Sequence, residues 1–193
     1  MYPATYSTND KSIRTVLIKT LKKSVCNYKG DSAIIPEMSL ANTGTRADVT
    51  LVNGVLHGYE LKGDLDNLTR LPRQIDGYNL IFDKITIVVG KKHLLHTVQT
   101  VPEWWGIVLA KAITSNVNPS LIELRKPSQN TFQDLRTVVD LLWKSEIVEI
   151  LKKETSCKNL ASFAKEELIR ILVDNLSVSS AKTYVRKYLV NRS

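Results

Sequence analysis

The chain has 193 residues, 43% hydrophobic and 24% charged, with 27 Lys/Arg against 19 Asp/Glu and a net charge of +8. That composition excludes an unstructured tail, a collagen-like fibre and a coiled coil, and no apolar run approaches the ~20 residues of a membrane span. At about 150 residues per domain, the length predicts one full domain with a small appendage.

Residues 1–10 contain neither a basic nor an apolar stretch of the kind that opens a secretory signal, so a cytoplasmic protein is expected. Cys26 and Cys157 form no metal-binding spacing and are expected as buried or half-buried thiols in a reducing compartment. Thr8-Asn9-Asp10 reads as an N-cap cluster. Ile13, Val16, Leu17, Leu21 and Val25 then recur at helical spacing, with lysines on the other face, as far as Gly30.

Ala33–Met38 is a short extended run around Glu37, and Asn42–Thr45 is a polar loop. Residues 46–52 and 55–62 are strand-like and flank Asn53-Gly54, the strongest short-range hairpin signal. With a two-residue turn Val52 faces Val55, so Asp48 falls near Tyr59, one position from Glu60; a bulge or the sheet twist would bring both acids to one face. Glu60 and Lys62 share a face outright.

A helix is predicted from about Arg70 to Phe82, with Pro72 in its first turn. Lys84–Val89, apolar nearly throughout, is a central strand. A short helix over 91–100, a strand ending at Ala110, a turn at Asn118-Pro119 and an edge strand over 121–124 follow. From Phe132 only helical spacing remains: Leu135 to Leu151, then about 160–174 and 179–190. The expected organisation is an α/β domain over 1–130, with a mixed sheet flanked by helices, and a helical extension over 131–193.

Charge is unevenly placed. Residues 1–30 hold six basic residues against one acid, and residues 151–193 nine against four, around a centre of 12 basic and 14 acidic residues. Basic flanks suit a polyanion, although basic helices also serve as plain solvated faces. Lys182, Arg186 and Lys187 on the last helix are open to both readings. Trp104 and Trp105 read as core rather than a stacking platform, Trp143 as core, and His57 as exposed near the turn. His93 and His96 read as solvated.

Asp48, Glu60 and Lys62 bring two carboxylates and an ammonium to one end of a hairpin. Mg²⁺ is commonly held by one or two carboxylates plus water and phosphate, and a nearby lysine can align the attacking water or stabilise developing charge. Asp48 followed by Glu60-x-Lys62, on strands preceded by one helix and followed by helix and strand, resembles the signature of the PD-(D/E)XK nuclease superfamily. Gln74-x-x-x-Tyr78 on the next helix is similar to the motif of RecB-type members. The run from Tyr59 through Pro102-Glu-Trp-Trp-Gly resembles a small family of bacterial and phage-encoded proteins within that superfamily. Ala47 departs from the proline of the superfamily's name, and two cysteines are too few for an iron–sulfur cluster.

The resemblance implies a restriction-endonuclease-like core and Mg²⁺- or Mn²⁺-dependent cleavage of DNA. It places the metal on Asp48, Glu60 and the Leu61 carbonyl, the water on Lys62, and Glu37 as an additional acid. The helix row Arg70, Gln74 and Tyr78, with Arg73, would contact the strand. Nucleic acid, DNA before RNA, is the expected partner, with no membrane; a homo-oligomer or protein partner stays open. The alternative is a catalytically inactive nuclease fold that binds nucleic acid or a protein.

Overall fold

In the computed structural model, which describes residues 6–40, 43–113 and 118–193, the six strands join in chain order into one mixed sheet. Residues 1–5 of the expected leaderless start and Asn42 of the polar loop lie outside the described residues. Strands β1 (Ala33–Ser39), β2 (Arg46–Val52) and β3 (Leu56–Lys62) form an antiparallel meander. β4 (Lys84–Gly90) and β5 (Gly106–Lys111) are added in parallel, and β6 (Ser120–Arg125) closes the far edge antiparallel to β5. Each parallel step needs a crossover connection, which α2 (Leu71–Asn79) and α3 (Leu94–Thr100) supply.

Helix α1 (Asp10–Cys26) starts at a capping box in which Asn9 and Ser12 bond each other's backbone. Its Ile13, Leu17 and Leu21 pack with Val49, Leu51, Tyr59, Leu61 and Val88 on one side of the sheet. A larger core joins Tyr78, Phe82, Ile85, Ile87 and Trp105 to Leu142, Ile147, Leu168, Leu172, Val185 and Leu189. The last six belong to α5 (Lys144–Glu154), α6 (Lys165–Asn175), α7 (Val178–Asn191) and the turn before α5, after a short α4 (Leu135–Val139). The fold is the expected α/β class, a mixed sheet with flanking helices and a helical C-terminal part. Its C-terminal helices bury their apolar stripes in the same core as the sheet.

Asp83 helps tie the two parts together. Its Oδ2 accepts the Leu56 N–H at 2.8 Å, and its Oδ1 lies 2.6 Å from Lys182 Nζ on α7. Asn130 adds bonds to the Asn79 and Phe82 carbonyls. Among the described residues no helix is long and apolar enough to cross a membrane.

Several local expectations are corrected. The hairpin loop has three residues: Val52 pairs Leu56 instead of Val55, and Gly54 takes φ +83°, which its missing side chain permits. His57 is half-buried, stacked on Tyr59 and bonded to Thr86 Oγ1, and burial lowers its pKa to about 3. Trp143 is 60% exposed because the chain turns between α4 and α5 and leaves it at the α5 N-cap, with Arg192 over its ring. Both cysteines are exposed. The 160–174 stretch becomes a helix only at Lys165, after a single tight turn at Leu160–Ser162.

Candidate active site

β2 and β3 are laddered from the loop as far as Val49–Tyr59, but both strands run on, to Arg46 and to Lys62, without pairing further with each other, while β2 stays paired to β1 and β3 to β4. They fork at Asp48. A fork leaves backbone donors and acceptors without ladder partners, and buried groups of that kind must be satisfied elsewhere. Here side chains satisfy them. Asp48 Oδ2 accepts the Leu61 N–H at 2.8 Å, Arg14 Nη1 donates to the Asp48 carbonyl at 2.5 Å, and the Tyr78 hydroxyl lies 2.8 Å from the Arg46 carbonyl. The opening forms a cleft of about 860 Å³ lined by Asp48, Glu60, Leu61 and Lys62, with Glu37, Arg70, Arg73 and Gln74 around it.

The register moves by one from the two-residue expectation. Val49 faces Tyr59, so the continued register sets Asp48 against Glu60 with no bulge. Glu60 is 1% exposed, and three donors surround its carboxylate: Lys62 Nζ and Gln74 Nε2 each 2.7 Å from Oε1, and the Tyr78 hydroxyl 2.5 Å from Oε2. Tyr78 is therefore corrected from a strand contact to a positioning residue. It is wholly buried, and its single proton serves either Glu60 or the Arg46 carbonyl. Burial and the Glu60 charge push the phenol's pKa far up, so it stays a donor. Gly77 allows α2 to approach this closely, since a Cβ there would lie 2.7 Å from Thr45 Oγ1.

Asp48 carries the most informative electrostatics. Burial, and next the neighbouring Glu60 charge, raise its pKa to about 7, against the opposing Leu61 N–H and Arg14. Such a carboxyl is only partly ionised near neutral pH, and a bound cation would favour its ionised form. Glu37, on β1, stands opposite Asp48 of β2 in the continued register, at φ +53°. That left-handed conformation is uncommon for a non-glycine residue and concentrates at functional sites. Its carboxylate bridges Arg14 at 2.8 Å and Arg46 at 2.5 Å.

Arg14 is the site residue that sequence reasoning missed. From α1 it pairs with Asp10, Glu37 and Asp48. The Asp10/Arg14 spacing announces an i,i+4 pair, but nothing in the sequence aims it at β2. Arg70 and Arg73 are exposed at the cleft rim, as a strand contact requires, and Gln74 is half-buried on Glu60.

Among the described residues no three acid, histidine or cysteine side chains form a ready-made metal cage. A hydrated magnesium site needs only one or two carboxylates plus water and phosphate. The oxygen donors of Asp48, Glu60 and Leu61 at one cleft fit that requirement. The buried Gln74 Oε1 beside Glu60 has no hydrogen-bond partner among the described residues.

Fold and cleft together define an α/β protein with an acid–lysine site where a hairpin forks. The chain belongs to the bacteriophage P4 protein cII family, whose model matches residues 4–193. It is 28% identical over 188 residues to protein cII of Enterobacteria phage P4, a match that covers 95% of this chain and 67% of that protein. Among solved structures it is similar to the SPO1766 protein of unknown function from Silicibacter pomeroyi. That similarity has 12% identity and a TM-score of 0.39, over 69% of this chain and 84% of the other.

Proposed function

We propose that this protein is a metal-dependent nuclease of the PD-(D/E)XK type that hydrolyses DNA phosphodiester bonds. The observation that carries the reading is the fork itself, where Asp48, Glu60 and Lys62 line one cleft while Gln74 and Tyr78 fix Glu60.

Asp48, Glu60 and the Leu61 carbonyl would hold Mg²⁺ or Mn²⁺, which supplies Lewis-acid charge to the phosphate and to the attacking water. Lys62 Nζ, held 2.7 Å from Glu60, is an ammonium donor facing the cleft. In this role it aligns the water or neutralises charge that builds on the phosphate. Gln74 and Tyr78 keep the Glu60 carboxylate from rotating away. Glu37 anchors Arg14 and Arg46 at the cleft edge, and Arg70 and Arg73 offer guanidinium groups to phosphates of the bound strand.

The test is incubation of labelled single- and double-stranded DNA and RNA with Mg²⁺, Mn²⁺ or EDTA. Cleavage of DNA with either metal and none in EDTA is the expected result. Binding without turnover under every metal would favour the inactive nucleic-acid-binding fold instead.

A further inference from the structure

The two basic flanks of the chain differ in what their charges touch. In residues 151–193, Lys165 pairs with Asp140, Arg170 with Glu167 and Asp174, Lys182 with Asp83, and Arg192 with Glu146. Five of that flank's nine basic residues are thus compensated, counting Lys153 at 4.0 Å from Glu154, and three of them, Lys165, Lys182 and Arg192, are tied to buried acids. On α1 only Arg14 is paired, and the helix's sole acid, Asp10, is spent on it. Lys11, Lys19, Lys22 and Lys23 are exposed, and none forms an ion pair among the described residues. They lie on the side of α1 away from the buried Ile13, Leu17 and Leu21, along about 18 Å of helix at 1.5 Å per residue. The first turns of the same helix, through Asp10 and Arg14, line the cleft.

We infer that the outer face of α1 is a track for the backbone of a nucleic acid strand extending from the cleft, with these four lysines on its phosphates. The inference rests on the nucleic-acid reading of the cleft but not on hydrolysis. A row of uncompensated ammonium groups, on a helix whose first turns line a site ringed by Arg14, Arg46, Arg70 and Arg73, matches a polyanion that enters that site.

The experiment compares two variants of equal charge change in the full chain, Lys11/Lys19/Lys22→Gln and Lys152/Lys158/Lys187→Gln. All six positions are exposed, and glutamine keeps helix propensity, so circular dichroism should match wild type. Binding of a fluorescent single-stranded oligonucleotide and of its duplex is titrated against salt in EDTA, where no cleavage intervenes. The α1 variant should lose roughly 0.7 in the log–log salt slope per contact on the single strand and about 0.9 on the duplex, with weaker binding at low salt. The C-terminal variant should keep the wild-type slope. An unchanged α1 slope, equal losses in both variants, or wild-type protein that binds neither oligonucleotide overturns the inference. So does an α1 effect seen only on anionic phosphatidylserine vesicles. Wild-type cleavage with an unchanged slope retires the track alone, whereas a slope change without cleavage in any metal retires hydrolysis alone.

Discussion

Glu60 and Asp83 both lie buried against a lysine, Lys62 at 2.7 Å and Lys182 at 2.6 Å. Around Asp83 the chain is closed. One carboxylate oxygen caps the Leu56 N–H, the other holds Lys182, and Lys182 is also bonded to Gln133. Around Glu60 the sheet is open. The strands fork, a second carboxylate faces the same cleft, and the pKa of that neighbour is raised to about 7. A buried acid–lysine pair is thus no site by itself. It becomes a candidate for chemistry when it lies beside an open cleft and a second acid that a cation would help ionise.

The largest expected effect is on stability, and what separates the two pairs is whether activity is lost beyond it. Asp83→Ala strands Lys182 and the Leu56 N–H and should destabilise the fold by about 3–5 kcal/mol. Chemical denaturation reads this, and a loss below about 1 kcal/mol would erase the structural role given to Asp83. Lys62→Ala strands the still more deeply buried Glu60 carboxylate and should lose stability as well, but it is set apart by rate: about a hundredfold to a thousandfold slower cleavage by the folded protein, or roughly 2.7–4 kcal/mol in the transition state, with metal affinity retained. Asp48→Ala, by contrast, should lose metal affinity in calorimetric titration as well as activity.

Tyr78→Phe comes next. It removes one hydroxyl from between Glu60 and the Arg46 carbonyl and should cost about 1–3 kcal/mol of stability. A thermal melt superimposable on wild type would mean that the phenol positions nothing. The smallest effect is a pH dependence. Because folding raises the Asp48 pKa from 3.8 to about 7, the native state binds the extra proton between those values. Stability should therefore fall as pH rises from about 4 to 7. Three units set a ceiling of about 4 kcal/mol, and with a fifth of the side chain in water the expected loss is about 1–2 kcal/mol. Denaturation of wild type and Asp48→Asn across that range measures it, and equal pH slopes for the two would remove Asp48 as the source. Mg²⁺ should shrink the slope by favouring the ionised carboxylate.

Much of the frame was legible because its signals are local. Asn53-Gly54 between strand-like runs marked the hairpin, and the unbroken apolar run over 84–89 marked the central strand. Spacing alone placed Gln74 and Tyr78 on one side of α2. The loop length was not legible, since Val55 reads as readily as strand as it does as turn, and that one residue decides whether Asp48 faces Tyr59 or Glu60. Tyr78 was misread because i,i+4 spacing puts it in a row with Gln74 without saying that the row faces the sheet. Arg14 was invisible as a site residue, as its partners Glu37 and Asp48 lie on other elements 23 and 34 residues away. Trp143 was misread because the apolar period of α4 and α5 looks continuous across a turn that contains no glycine or proline.

The central claim is that the forked end of the β2–β3 hairpin hydrolyses DNA with a divalent metal. Single-turnover cleavage of a labelled DNA strand, run side by side for wild type and Lys62→Ala in Mn²⁺, in Mg²⁺ and in EDTA, is the decisive measurement. The account predicts cleavage by wild type in Mn²⁺, none in EDTA, and a rate about a hundredfold or more lower for Lys62→Ala at unchanged DNA binding. Equal rates for the two proteins, or DNA left intact by wild type in Mn²⁺ and Mg²⁺ alike, would contradict it.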